Sequence, residues 1–257
     1  MTACDLVRGG GPLLISVPHV GGELPPGMAA RLTPGSERLP DTDWFVDRLY
    51  DFADELGATV LRARYSRYVV DLNRPPDDAS LYPGQATTGL FPDRRFDGAP
   101  LFRDDAAPDA TEWQRRIDRY WRPYHDNLAA ELVRLRARHD RVLLWEAHSI
   151  RSFVPLLFDD RLPDLNLGTA DSTSCRPGLG ERLAAVAAAS PYSSVLNGRF
   201  KGGYITRRYG DPANGIDAVQ LEIGQSTYMD EEAMRFDEDR AAQLRPIVRA
   251  LVEAALR

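Results

Sequence analysis

Two of the four histidines in this 257-residue chain close short apolar runs. Pro12-Leu-Leu-Ile-Ser-Val-Pro-His19 is followed by Gly21-Gly22, and Arg141-Val-Leu-Leu-Trp-Glu-Ala-His-Ser149 carries the second, His148. Such runs read as buried strands, and the carboxyl edge of an α/β sheet is where ligands bind. Two imidazoles at two strand ends therefore predict one metal-competent site. A catalytic zinc usually takes three protein ligands and a water, so a carboxylate is also required. Glu23, Asp41 and Asp43 are the acids near His19 in the chain, and spacing does not choose among them. Glu222, inside Ala218-Val-Gln-Leu-Glu-Ile223, is a further anomaly. A carboxylate in an apolar strand is costly to bury unless it is paired, metal-bound or used.

The basic residues carry a smaller signal. Of 32 Lys plus Arg, only Lys201 is a lysine, in Arg199-Phe-Lys-Gly-Gly203. A compact ammonium differs from a planar guanidinium fork, which marks Lys201 for a role of its own. His125 and His139 lie among many charges and read as solvated or packing residues.

The elements that must position these groups follow an alternating pattern. A stripe of Val46, Leu49, Tyr50, Ala53 and Leu56 after Asp41-Thr-Asp43 predicts an amphipathic helix ending at Gly57. Ala58-Thr-Val-Leu61 and Tyr68-Val-Val70 predict strands, the second running into Asp71-Leu-Asn-Arg-Pro-Pro76. Residues 77–107, rich in Pro, Gly, Asp and Thr, predict a long loop, which in a compact domain is more often functional than idle. Helical periodicity spans 108–139 with Pro123 kinking or splitting it. Residues 151–177 read as irregular, 178–189 as a helix, 195–200 and 218–223 as strands, and 230–256 as a long helix interrupted at Pro246. Strands alternating with helices predict an α/β fold with a mainly parallel or mixed sheet, and no linker divides residues 1–257 into more than one domain.

Composition excludes several classes. A hydrophobic fraction of 43% and a charged fraction of 27% are those of a globular protein, and a net charge of -6 argues against nucleic acid or anionic membrane as a partner. No apolar run approaches a membrane span, and no secretory pattern follows Met1. Two cysteines, Cys4 and Cys175, give neither a disulfide framework nor a structural zinc knuckle. A cytoplasmic protein is expected. The absence of a Gly-x-Ser-x-Gly elbow weighs against a serine hydrolase.

Eight motifs in order carry a resemblance across residues 12–256. They are Ser16-Val-Pro-His19, Asp41-Thr-Asp-Trp44 with Val46-Asp-Arg-Leu-Tyr50, Arg64-Tyr-Ser-Arg-Tyr68 with Asp71-Leu-Asn-Arg-Pro-Pro76, Leu81-Tyr-Pro-Gly-Gln85, Ala147-His-Ser-Ile-Arg151, Asn166-Leu-Gly168, Asn197-Gly-Arg-Phe-Lys-Gly-Gly-Tyr-Ile-Thr206, and Gln220-Leu-Glu222 with Thr227-Tyr-Met229. Together they resemble the N-formylglutamate amidohydrolases, deformylases that end one route of histidine breakdown. The resemblance implies the fold of the zinc carboxypeptidases and aspartoacylases, a mixed sheet flanked by helices. It implies that His19 and His148 bind a divalent metal, with zinc expected and cobalt, iron or nickel also compatible with such ligands. It further implies that Glu222 is the catalytic glutamate and that Asn73 and Arg74 bind a substrate carboxylate.

Two departures stand out: Phe45 where the family tends to His, and Glu146 where it tends to Asp. The longer Glu146 is expected to displace any bond to a ligand histidine. The aspartoacylase-like His-x-x-Glu spacing is absent, since Glu23 comes one residue late, which favours Asp43 as third ligand with Glu23 next. Arg67 and Lys201 follow Arg74 as cations for a substrate with two carboxylates, Lys201 alternatively contacting a developing oxyanion. The expected partner is a small N-acylated acidic amino acid. Deacylation of another N-acyl acidic amino acid, or non-catalytic binding of metal or acidic amino acids, are the competing expectations.

Overall fold

The computed structural model describes residues 2–81, 84 and 87–257, so Tyr82, Pro83 and Gln85 of the Leu81-Tyr-Pro-Gly-Gln85 motif lie outside the described residues. Seven strands form one mixed sheet: β1 (Cys4–Val7), β2 (Leu13–Val17), β3 (Thr59–Ala63), β4 (Val142–Ile150), β5 (Leu165–Gly168), β6 (Ser194–Leu196) and β7 (Ile216–Gly224). Their spatial order is β1-β3-β2-β4-β7-β5-β6. The central β3, β2, β4 and β7 are parallel, while β1 joins β3 and β5 joins β7 antiparallel. A small hairpin, β8 (Met229–Asp230) with β9 (Arg235–Phe236), follows the sheet. The expected α/β architecture is present.

Both faces of the sheet are covered, which is why its central strands read as continuous apolar runs rather than alternating ones. Helices α1 (Ala110–Arg116), α2 (Arg122–Arg136), α3 (Leu179–Ala188), α4 (Tyr204–Tyr209) and α5 (Glu238–Leu256) flank it. Leu13, Ile15, Leu143, Trp145, Val219 and Leu221 pack on one face with residues of α3 and α5. Leu14, Leu144 and Ala218 pack on the other face with Tyr124, Leu128, Leu132 and Leu135 of α2 and Ile205 of α4. Each such buried aliphatic side chain contributes roughly 1.5–3 kcal/mol relative to exposure.

Local sequence explains the helix ends. Asp109 caps α1 by accepting from the Glu112 amide at 2.7 Å, and Asp237 caps α5 by accepting from that of Arg240 at 3.1 Å. Pro123 neither ends nor splits its helix. It sits in the first turn of α2, and a π-helical turn over Ile117–Trp121 joins α1 to α2.

Five expectations are corrected. The stripe after Asp43 does not form an α-helix but a single 3-10 segment, Val46–Tyr50, followed by turns. Phe45 precedes it at φ 63°, a left-handed conformation that breaks a right-handed helix, yet Val46, Leu49, Tyr50 and Ala53 still reach the core. Tyr68 and Val69 lie in a turn, closed by the Val69 amide on the Ser66 carbonyl at 2.9 Å, and Val70 is not in a strand. Residues 151–177 contain β5, and the last helix begins only at Glu238 because β8 and β9 occupy the preceding residues. The strand expected over 195–200 ends at Leu196. Among the described residues, no helix is long and apolar enough to cross a membrane.

Candidate active site

Side chains alternate along a strand, and that alternation builds the floor of the site. In β4, Glu146 and His148 project to the same face as Leu144; in β7, Gln220 and Glu222 share the face of Ala218. The parallel register places Glu146 beside Gln220 and His148 beside Glu222. Four polar residues thus form a patch on two strands about 4.8 Å apart. All four are buried.

His19 enters just past the end of β2. Its backbone carbonyl accepts from the Asp43 amide at 3.1 Å, which fixes the Asp43 loop beside it. That loop is held from the turn after β7: the Gln225 side-chain amide donates to the Thr42 carbonyl at 3.0 Å, and the Tyr228 hydroxyl donates to the Trp44 carbonyl at 2.8 Å. The Ser149 amide donates to Asp43 Oδ2 at 3.0 Å. The metal-competent atoms of His19, Asp43 and His148 lie within 4.8 Å of one another, and all three residues are buried.

Asp43 Oδ2 is 3.8 Å from His19 Nδ1 and 3.3 Å from His148 Nδ1. Bonds of about 2.0–2.2 Å at tetrahedral angles would separate ligand atoms by about 3.3–3.6 Å, so the set fits a small divalent ion. Asp43 Oδ1 is buried without a hydrogen-bond partner, although Arg67 Nη1 lies 3.5 Å away.

The far nitrogens of both rings are held by carboxylates, as ligand histidines usually are. Asp71 Oδ1 is 2.8 Å from His19 Nε2, and Glu146 Oε2 is 3.1 Å from His148 Nε2. The longer Glu146 therefore does make its histidine bond. Asp71 also accepts from Arg67 Nη2 at 2.8 Å and from the Asn73 amide at 2.9 Å. Burial would raise the Asp71 carboxyl, but His19, Arg67 and Arg74 bring it well below the ordinary range.

Charge decides the protonation of the rest. Burial, helped by Arg67, lowers His19 to about 4, leaving it a neutral ligand. Burial acts in the same direction on His148, but hydrogen bonds to Asp43 and Glu146 outweigh it and raise the imidazole to about 10. Burial raises Glu222 to about 8, with the negative Asp43 adding to the shift and His148 opposing it. Asp43, Asp71, Glu146 and Glu222 are all buried here. Both shifts favour the protonated form at neutral pH, a charged His148 and a neutral Glu222.

The expected third ligands other than Asp43 are engaged elsewhere. Glu23 is half-exposed and paired with Arg64 at 2.7 Å, while Asp41 accepts from the Tyr68 hydroxyl at 2.7 Å and the Phe96 amide at 2.9 Å. Arg67, Arg74 and Asn73 line one cavity with His19, His148 and Glu222. Arg67 is 8% exposed and ion-paired to Asp43 and Asp71. Arg74 donates to Thr88 and to the Asn73 carbonyl.

Asn73 acts as a brace: its Oδ1 accepts from the Ile205 amide at 2.9 Å, and its Nδ2 lies 3.2 Å from His148 Nε2. Gly203 makes room for it, since a Cβ there would come within 2.3 Å of Asn73 Nδ2. Lys201 does not line the cavity; its ammonium pairs with the exposed Asp171 at 3.2 Å. His125 is a packing residue, its Nε2 on the Leu72 carbonyl at 2.9 Å and its ring stacked on Trp121, and His139 bonds the Gly10 carbonyl.

Sequence reasoning left out Asp71, Gln220 and Arg199, of which Gln220 accepts from the Gly203 amide at 2.8 Å and Arg199 also lines the cavity. Asp71 had a readable signal, a carboxylate closing an apolar run two residues before Asn73.

The site and fold can be set beside known proteins. The family model for N-formylglutamate amidohydrolase matches residues 11–229. An N-formylglutamate deformylase of Pseudomonas aeruginosa is 57% identical over 251 residues, covering 97% of this chain and 94% of that protein. One from Pseudomonas putida is 54% identical over 247 residues, covering 95% and 92%. The crystal structure of N-formylglutamate amidohydrolase from Ralstonia eutropha JMP134 superposes with a TM-score of 0.83 at 27% identity, covering 99% of this chain and 97% of that one. With the family match spanning most of its length and two relatives keeping more than half of its residues, this chain belongs to the N-formylglutamate amidohydrolase family.

Proposed function

We propose that this protein hydrolyses N-formyl-L-glutamate to formate and L-glutamate, using one divalent metal ion, zinc in the first instance, held by His19, Asp43 and His148. The observation that carries the reading is the placement of Glu222 directly across from His148 on the neighbouring strand, in a cavity that also presents Arg74. When bound, the ion would supply Lewis-acid polarisation of the formyl carbonyl and acidify water at the site.

The chain's own residues do the rest. Glu222 removes a proton from the attacking water and returns it to the departing nitrogen as the C–N bond breaks. That task needs an ionised carboxylate; burial favours the protonated form, and a dication held at His19, Asp43 and His148 would favour the ionised one. Asp71 and Glu146 hold the two imidazoles in the tautomer that leaves Nδ1 free for the metal. Arg67 keeps Asp43 and Asp71 ionised while facing the cavity. Arg74, which has no carboxylate partner among the described residues, offers its planar fork to the α-carboxylate. Asn73 keeps Arg74 and His148 in register rather than reading the substrate.

Such an enzyme, releasing formate and glutamate, suits the closing step of histidine breakdown that the family resemblance implies. The test is product identity: formate release from N-formyl-L-glutamate, compared with acetate release from N-acetyl-L-glutamate. Turnover of the formyl substrate at a far higher kcat/KM supports the reading, and preference for the acetyl substrate overturns it.

A further inference from the structure

Arg199 stands on the segment that leaves β6 and crosses the active face of the sheet. The crossing is close: a Cβ on Gly168 of β5 would come within 2.5 Å of Gly202 N and 2.7 Å of Lys201 C. A side chain at residue 168 would lift this segment off the sheet, and its glycine brings residues 199–203 down to the cavity. Arg199 and Phe200 line that cavity together with His148 and Glu222. The guanidinium is oriented, since its Nε donates to the Leu157 carbonyl at 2.8 Å and its carbon lies 5.5 Å from the Phe200 ring centre. Leu157 O is a neutral acceptor, and this bond directs the fork.

A formylated glutamate presents two carboxylates, and one planar fork reads one carboxylate. Arg74 serves one. Arg67 is already matched by Asp43 and Asp71. Lys201 is turned to Asp171. Beside Arg199, Ile150, Leu157 and Phe200 give the cavity an apolar strip, suited to the methylenes that separate the two carboxylates. We propose that Arg199 binds the side-chain carboxylate of the substrate and sets selectivity for a dicarboxylate over its uncharged analogues. The inference rests on the deformylase reading above and goes beyond it by assigning the second anchor.

The test compares kcat/KM for N-formyl-L-glutamate and N-formyl-L-glutamine in the wild-type enzyme, Arg199→Gln, Arg199→Lys and Arg74→Ala. The wild type should prefer the glutamate. Arg199→Gln should lose about 10- to 100-fold on the glutamate, mostly through KM, and change little on the glutamine, as expected for one charge-assisted pair. Arg199→Lys should recover part of the loss, and Arg74→Ala should weaken both substrates alike. Equal losses on both substrates in Arg199→Gln, or none on either, would overturn the assignment while leaving the deformylase reading intact. A wild-type enzyme without turnover of N-formyl-L-glutamate would overturn that reading and the assignment with it.

Discussion

Loading the site with a divalent ion at neutral pH should expel two protons. In the metal-free protein His148 is raised to about 10, by Asp43 and Glu146 against the effect of burial, and Glu222 is raised by burial to about 8. Both are therefore protonated at pH 7. Metal ligation requires a neutral His148, and a dication beside Glu222 favours its carboxylate. His19, lowered to about 4 by burial, has no proton to lose.

The number of protons released equals the slope of log Kapp against pH. That slope should lie near 2 around pH 7 and fall toward 1 above about 8, where Glu222 has already ionised. The sign is set by the raised values: affinity increases as pH rises. Around pH 7 one pH unit should change affinity by about 100-fold, since each proton contributes a factor of ten. Competition titrations against a chromogenic chelator from pH 6 to 9 read the slope, and calorimetry in buffers of different ionisation enthalpy counts the protons directly. Glu222→Gln should reduce the slope by about 1. A wild-type slope below about 0.5 at pH 7, or one indifferent to Glu222→Gln, would refute the charge accounting.

Three further outcomes follow from the same geometry. Glu222→Gln should lower kcat by about 10²–10⁴ while substrate still binds, and near-normal turnover would remove Glu222 from the general-base role. Asp71→Asn weakens the bond that orients His19, so metal affinity should fall by about 10- to 100-fold in a competition assay; unchanged affinity would show that Asp71 orients nothing. Gly203→Ala forces a methyl to within 2.3 Å of the Asn73 amide nitrogen. Overpacking of this kind costs about 1–3 kcal/mol, seen as a Tm lowered by roughly 2–12 °C for a chain of this size, and an unshifted Tm would mean that Asn73 yields freely.

Much of the site was legible because its residues break local rules. Histidines at the ends of apolar runs, and a glutamate inside one, are expensive arrangements that sequence shows directly. Which atoms meet was less legible, because it depends on register between strands distant in the chain: Glu222 faces His148 only through the pairing of β4 with β7. Asp41-Thr-Asp43 reads as the acidic start of a helix, and residue spacing alone did not single out Asp43 among the nearby acids. The structure sets that carboxylate between two histidines, and Phe45 in the left-handed region turns the chain away from helix. The apolar stripe after it reports burial correctly and conformation wrongly. β5 was hidden because four residues, paired between β7 and β6, carry too short a pattern to read. Lys201 was conspicuous by rarity alone, and rarity is not position: the neighbouring Arg199, one of many arginines, is the one at the cavity.

The most direct test of the account is formate release from N-formyl-L-glutamate by the purified protein, measured as isolated, after chelation, and after zinc or cobalt is restored. The account predicts turnover that chelation abolishes and metal recovers. Turnover that persists in a fully chelated protein would contradict a metal centre at His19, Asp43 and His148, and absence of turnover with every metal would contradict the deformylase reading itself.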